Sequence, residues 1–185
     1  VIFGLLNYLY LSLGSLILGS AKLFEDNAFF SAASGLVTIP TTLGFVVITA
    51  VFYPELVTLL AHEKRGEAAR LLNTFLKLFL TALTPVMAAL AIYSGFIVRL
   101  LYTETYDPSI IPLAILSPLT VLVPVQQLLV FGLYALNKHR LASIGMGIQV
   151  LLALAGTLGA VFWAEDLRPV WIAITYLVAC IAGLT

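Results

Sequence analysis

The sequence predicts an all-α, polytopic membrane protein of six transmembrane helices, and three observations carry that prediction. Of its 185 residues, 62% are hydrophobic and only 10% charged, against roughly 25% charged in a soluble domain. The mean hydropathy is +1.10. The charges cluster, leaving uncharged windows at 1–21, 27–54, 78–98, 108–137, 141–164 and 169–185, together 141 residues.

About 20 apolar residues cross a hydrocarbon core of roughly 30 Å as a helix. Each window therefore holds one expected span, at about 2–21, 28–54, 75–99, 110–136, 141–163 and 169–185. Lipid offers the backbone no hydrogen-bond partners, so spans must be helices or a closed barrel. The windows lack the polar–apolar alternation of barrel strands. Too few charges remain to clothe a soluble globule, which excludes a water-soluble enzyme. The 9 basic and 9 acidic residues cancel, leaving no basic excess with which to bind nucleic acid.

The first window could pass for a secretion signal, but it lacks a basic start and a small-residue cleavage pattern before Lys22, and it carries Asn7, Tyr8 and Ser12. It reads as a true span. The second pattern stays almost wholly apolar over the 34 residues from Ala28 to Ala61, about 51 Å of helix at 1.5 Å per residue. Such a helix either tilts and protrudes from the bilayer or bends near Pro40 and Pro54. A turn around His62–Gly66 then leads back into the third span, forming a long helical hairpin.

One set of loops holds Lys64, Arg65, Arg70, Lys77, Lys138 and Arg140; the other holds Lys22, Arg99 and Arg168. The positive-inside rule puts the first set, and both ends of the segment, in the cytoplasm. The localisation expected is the plasma membrane, with the lipid bilayer as the primary partner.

The first four spans carry polar or small residues at three- and four-residue spacing, which lines them along one helix face. The stripes are Tyr8, Ser12, Ser15, Gly19 and Lys22; Asn27, Ser31, Ser34, Thr38 and Thr41; Glu63, Glu67, Arg70, Thr74, Lys77, Thr81 and Thr84; and Ser117, Thr120, Pro124, Gln127, Tyr134 and Lys138. Two explanations compete. Small residues and hydroxyls let membrane helices pack closely. Alternatively, a stripe lines a water-filled path, since amides such as Gln126 and Gln127 gain little from lipid. Prolines 40, 85, 118 and 124 fit helices that bend.

No charged residue sits mid-span. Lys77 and Arg99 are placed to reach the headgroups. Lys22 is either a plain interfacial lysine or the contact for an anionic substrate group. Catalytic patterns are missing: His62-Glu63 is followed by Lys64-Arg65-Gly66 and makes no zinc motif, and neither Ser34-Gly35 nor Ser94-Gly95 forms a nucleophile elbow. Cys180 stands alone, without a disulfide partner or metal-ligand company. The expectation is no catalytic residue, metal or cofactor.

Two passages resemble a known family. In Leu18–Arg70 they are Phe30-Ser31-Ala32-Ala33, then Tyr53-Pro54-Glu55-Leu56, then Gly66-Glu67; in Leu113–Gln149 it is the run from Leu133 to Ala142 around Lys138-His139-Arg140. They are similar to the polysaccharide-biosynthesis flippases, the oligosaccharidyl-lipid branch of the multidrug/oligosaccharidyl-lipid/polysaccharide exporter superfamily. Asn137 replaces that family's usual glycine, and asparagine is the next best residue for a left-handed turn.

The resemblance implies two six-helix lobes about a central cavity, with this chain as the second lobe and an N-terminal lobe of the same protein as partner; a start at Val1 rather than Met fits a piece of a longer chain. It implies passage of a lipid-linked saccharide between leaflets by alternating access. The substrate path it implies comprises Tyr8, Ser12, Ser15, Lys22, Ser34, Thr38 and Thr41, joined by Gln127. An ion-coupled multidrug or metabolite exporter of the same superfamily, and a non-transporting structural membrane protein, are the alternatives.

Overall fold

The structure, a computed structural model, describes residues 12–163 and 168–183. Among these residues the secondary structure is helical throughout, with no strand. Residues 12–20 form α1. There follow α2 (Phe24–Val47), a π-helical turn (Ile48–Phe52), α3 (Tyr53–Ala61), α4 (Arg65–Ile92), α5 (Ser94–Leu101), a 3-10 turn (Glu104–Ser109), α6 (Ile110–Leu116), α7 (Leu119–Ala135), α8 (His139–Trp163) and α9 (Arg168–Ala182).

Three of these helical stretches are long and apolar enough to cross a bilayer alone: Phe24–Ala61, Arg65–Ile92 and His139–Phe162. The segments Glu104–Leu116 and Leu119–Ala135, inclined at 43°, make a fourth if taken as one broken span. At 15 residues, α9 is shorter than a full span, and much of the first expected span lies outside the described residues. The described structure thus supports a multi-pass helical membrane protein with three to four spans rather than the full six.

Boundaries differ from the expected ones for identifiable reasons. The 38-residue stretch Phe24–Ala61 stays α-helical through Pro40 and changes winding only at Ile48–Phe52. That π-turn lies just ahead of Pro54, whose ring would crowd the Ala50 carbonyl in a regular α-helix; widening the turn relieves the crowding. The third expected span, 75–99, is broken: α4 begins ten residues earlier and ends at Ile92, and the chain restarts at Ser94-Gly95, two weak helix formers.

The fourth expected span breaks at Ser117-Pro118. Pro118 has no N–H to offer the Ala114 carbonyl, and the Ser117 hydroxyl donates to that oxygen instead at 2.8 Å. The break is thus capped by its own serine.

Three interhelical turns share one geometry. Lys22, Glu63 and Asn137 adopt φ of 60°, 59° and 59°. In each turn the next residue's N–H reaches back five positions, from Leu23 to Leu18, Lys64 to Leu59 and Lys138 to Leu133, at 3.0, 3.0 and 2.9 Å. These are Schellman caps built without glycine. Asn137 is in the left-handed turn that its substitution for glycine implied.

The core divides into two apolar clusters. One joins α1, the first half of α2, α6 and α9 around Leu18, Phe30, Leu113, Ile172 and Tyr176. The other joins the π-turn, α3, α4 and α7 around Ile48, Phe52, Leu56, Phe79 and Leu128. Glycines set how closely helices approach. A Cβ on Gly44 would lie 3.0 Å from the Pro124 ring, and one on Gly14 would lie 2.6 Å from Phe30 Cε1. The Gly14 N–H donates to the Tyr176 hydroxyl at 2.7 Å, tying α1 to α9.

Candidate functional site

The hydroxyl stripe of α2 forms a ridge along the bundle. Asn27 Oδ1 accepts from Ser31 at 3.3 Å, and the Ser31 and Ser15 hydroxyls lie 3.3 Å apart, linking the first two stripes. Ser34 then donates to the Ser31 carbonyl at 3.3 Å, Thr38 to Ser34 at 2.8 Å and Thr41 to Thr38 at 2.8 Å. Thr38 is exposed, while Ser34 and Thr41 are half-buried. Each hydroxyl beyond Ser31 is therefore satisfied by its own helix and tolerates either lipid or water.

The remaining path candidates are scattered. Tyr8 lies outside the described residues. Ser12 is half-buried on α1. Lys22 is exposed at the α1–α2 turn and lines a cleft of about 520 Å³ with Glu25, Asp26 and Arg168. Arg168 reaches Asp26 at 3.5 Å across that cleft, its Nε buried without a partner. Two cations face two carboxylates there, so the cleft as a whole carries no excess of either sign. Gln127 is half-buried, on α7, with its Oε1 buried and unpartnered.

The other two stripes part company. Thr74, Lys77, Thr81 and Thr84 of α4 are all exposed. Ser117, Thr120 and Pro124 are buried, and Thr120 donates to the Ser117 carbonyl at 2.8 Å. The fourth stripe is packing at these positions, as small-residue contacts between membrane helices require.

One polar cluster carries no stripe signal in the sequence. Gln126 of α7 donates through Nε2 to Gln149 Oε1 of α8 at 2.6 Å, and the Cys180 thiol of α9 lies 3.6 Å from Gln126 Oε1. Gln149 is fully buried, its Nε2 without a partner. Gln126 was legible as an amide costly in lipid; its partner was not, because Gln149 stands alone in an apolar helix. Among the described residues no group of three or more His, Cys, Asp or Glu side chains is placed to hold a metal ion.

At the far end of the bundle, Arg99 of α5 grips Asp107 through two bonds, Nε to Oδ1 at 3.0 Å and Nη2 to Oδ2 at 2.8 Å. The Arg99 hydrogen bonds hold the Asp107 carboxyl below its ordinary value of 3.8.

Long apolar helices, proline breaks and hydroxyl-bearing faces define a multi-pass helical membrane protein. The family model for polysaccharide biosynthesis proteins matches residues 1–111 of the 185, and the chain belongs to that family. The match takes in the first of the two resembling passages and ends before the second. No curated protein and no solved structure matches the chain.

Proposed function

We propose that this chain is one six-helix lobe of a plasma-membrane transporter that passes a lipid-linked oligosaccharide or polysaccharide precursor across the bilayer by alternating access, with no chemical step of its own. The observation that carries the reading is the ridge on α2, where Ser31 and Thr38 stand exposed on an otherwise apolar helix, together with family membership. A saccharide is rich in hydroxyls and slides over groups that exchange hydrogen bonds without charge. In this reading Tyr8, Ser12, Ser15, Ser34, Thr38 and Thr41 line the path, with Lys22 at its outer end and Gln127 beside it. The N-terminal lobe closes the cavity from the other side, and both ends of this segment lie in the cytoplasm.

The test is solvent access at Thr38 and Thr41. In the full-length protein, with Cys180 replaced by alanine, Thr38→Cys and Thr41→Cys should react with a membrane-impermeant, water-borne thiol reagent, and a saccharide-bearing lipid should slow the reaction. If neither position reacts, the ridge faces lipid and the assigned path is wrong.

A further inference from the structure

A groove between α4, α7 and α8 shares no lining residue with the α2 ridge, and nothing in the transport reading uses it. Its deeper part, about 770 Å³, is walled by Leu129 and Leu133 of α7 and by Leu141, Ile144 and Ile148 of α8, with Gln126 as its polar contact. Its shallower part, about 580 Å³, is lined by Leu56, Ala68, Arg65 and Lys138. Leu72, Gly132 and Leu136 line both parts. A Cβ on Gly132 would meet nothing within 4 Å, so the passage between them is open at this glycine. The apolar walls are exposed: Leu136 is 54%, Leu141 57% and Ile144 59% accessible.

The charges at the mouth have no internal answer. Lys64 takes Glu67 at 3.2 Å, whereas Arg65 and Lys138 have no carboxylate within reach among the described residues. From Gln126 to the end of α7 at Ala135 is nine residues of helix, about 13.5 Å at 1.5 Å per residue, and Lys138 stands in the turn just beyond. One leaflet of the hydrocarbon core is roughly 15 Å deep. The groove thus has the length of an acyl chain, apolar walls, and two unpaired cations where a headgroup phosphate would sit.

We propose that this groove binds one two-chain anionic phospholipid, its phosphate held by Arg65 and Lys138 and one acyl chain lying over Gly132 along Leu133 and Leu129. The lipid is a resident of the leaflet at the basic end of the bundle, distinct from any transported saccharide carrier, and its binding does not depend on transport. Bound there, it fills the gap that α4, α7 and α8 leave between them.

The experiment is native mass spectrometry of the delipidated full-length protein titrated with dioleoyl phosphatidylglycerol, with dioleoyl phosphatidylcholine and inorganic phosphate as comparators. Phosphatidylglycerol should bind saturably as a single copy, and more tightly than phosphatidylcholine. The double variant Arg65→Gln/Lys138→Gln should weaken it roughly 20- to 30-fold, the effect of removing two basic residues near an anionic headgroup. Gly132→Phe should block the groove, while Gly132→Ala leaves binding near wild type. Equal binding of the two phospholipids, or no change in the charge-neutralised double variant, overturns the proposal. So does phosphate competing as well as the lipid, or a dimer that buries the groove against a second copy. Should Gly132→Phe fail to fold, the double variant, which alters only exposed side chains, still decides.

Discussion

The ridge of α2 and the amide cluster of α7, α8 and α9 solve the same problem in opposite ways. Ser34, Thr38 and Thr41 give their protons to carbonyls three or four residues back on their own helix. Gln126 instead donates across a helix boundary to the Gln149 Oε1, with the Cys180 thiol of a third helix alongside. A short hydroxyl can reach its own backbone; a long amide reaches past it. A hydroxyl therefore commits a membrane helix to no neighbour and leaves its face available, whereas an amide obliges three helices to meet. The first arrangement suits a surface along which something moves, and the second suits a fixed joint.

The largest effect should come from forcing the joint apart. A Cβ on Gly156 of α8 would lie 2.6 Å from the Thr175 hydroxyl oxygen of α9. Gly156→Leu should therefore cost about 1–3 kcal/mol, read as a lowered Tm in detergent. On the same helix Gly159 has nothing within 4 Å, so Gly159→Ala should be neutral or gain up to about 1 kcal/mol. Equal losses at both positions would show that α8 and α9 are not packed as described.

Within the joint, Gln126→Leu strands Gln149 with both amide groups unpaired and should cost about 1 kcal/mol. Adding Gln149→Leu should return part of that loss; a strictly additive double-mutant cycle would mean that the amides do not interact. The local side of the comparison has its own strain. Glu63 holds a left-handed conformation that disfavours a β-carbon, so Glu63→Gly should stabilise the α3–α4 hairpin by about 1 kcal/mol, and Asn137→Gly by less.

Thr38→Val and Thr41→Val should change stability by no more than about 0.5 kcal/mol, because each hydroxyl answers only to its own helix. Their effect on saccharide flux, measured in the full-length protein, should exceed their effect on Tm; a matching fall in both would make the ridge a packing surface.

The smallest effect expected is a pH dependence. Asp107 is held below 3.8 by Arg99, so its contribution is complete above that value and fades as pH falls through the lowered one. The pair is exposed, with side chains 60% and 38% accessible, so solvent screens most of it. Amide exchange over Glu104–Ser109 should quicken only at strongly acid pH, and Asp107→Asn should remove that acid-limb change.

By itself the sequence determined the helical class, the membrane setting, the long hairpin and the left-handed turn at Asn137, because these follow from charge spacing, apolar length and local turn chemistry; the family followed from the resemblance of its motifs. It also showed that α2 has a hydroxyl face, which is a matter of periodicity along one element. Only the tertiary structure decided which faces are answered and which are open: that Ser117, Thr120 and Pro124 are buried, that the stripe at Thr74–Thr84 is not, that the helix widens ahead of Pro54 while it stays α-helical through Pro40, and that Gln149 is the partner of Gln126. The reason is that inside an apolar helix nearly every face looks alike. Which one is buried depends on the residues of other helices, and in those contacts a single glycine or amide outweighs the pattern around it.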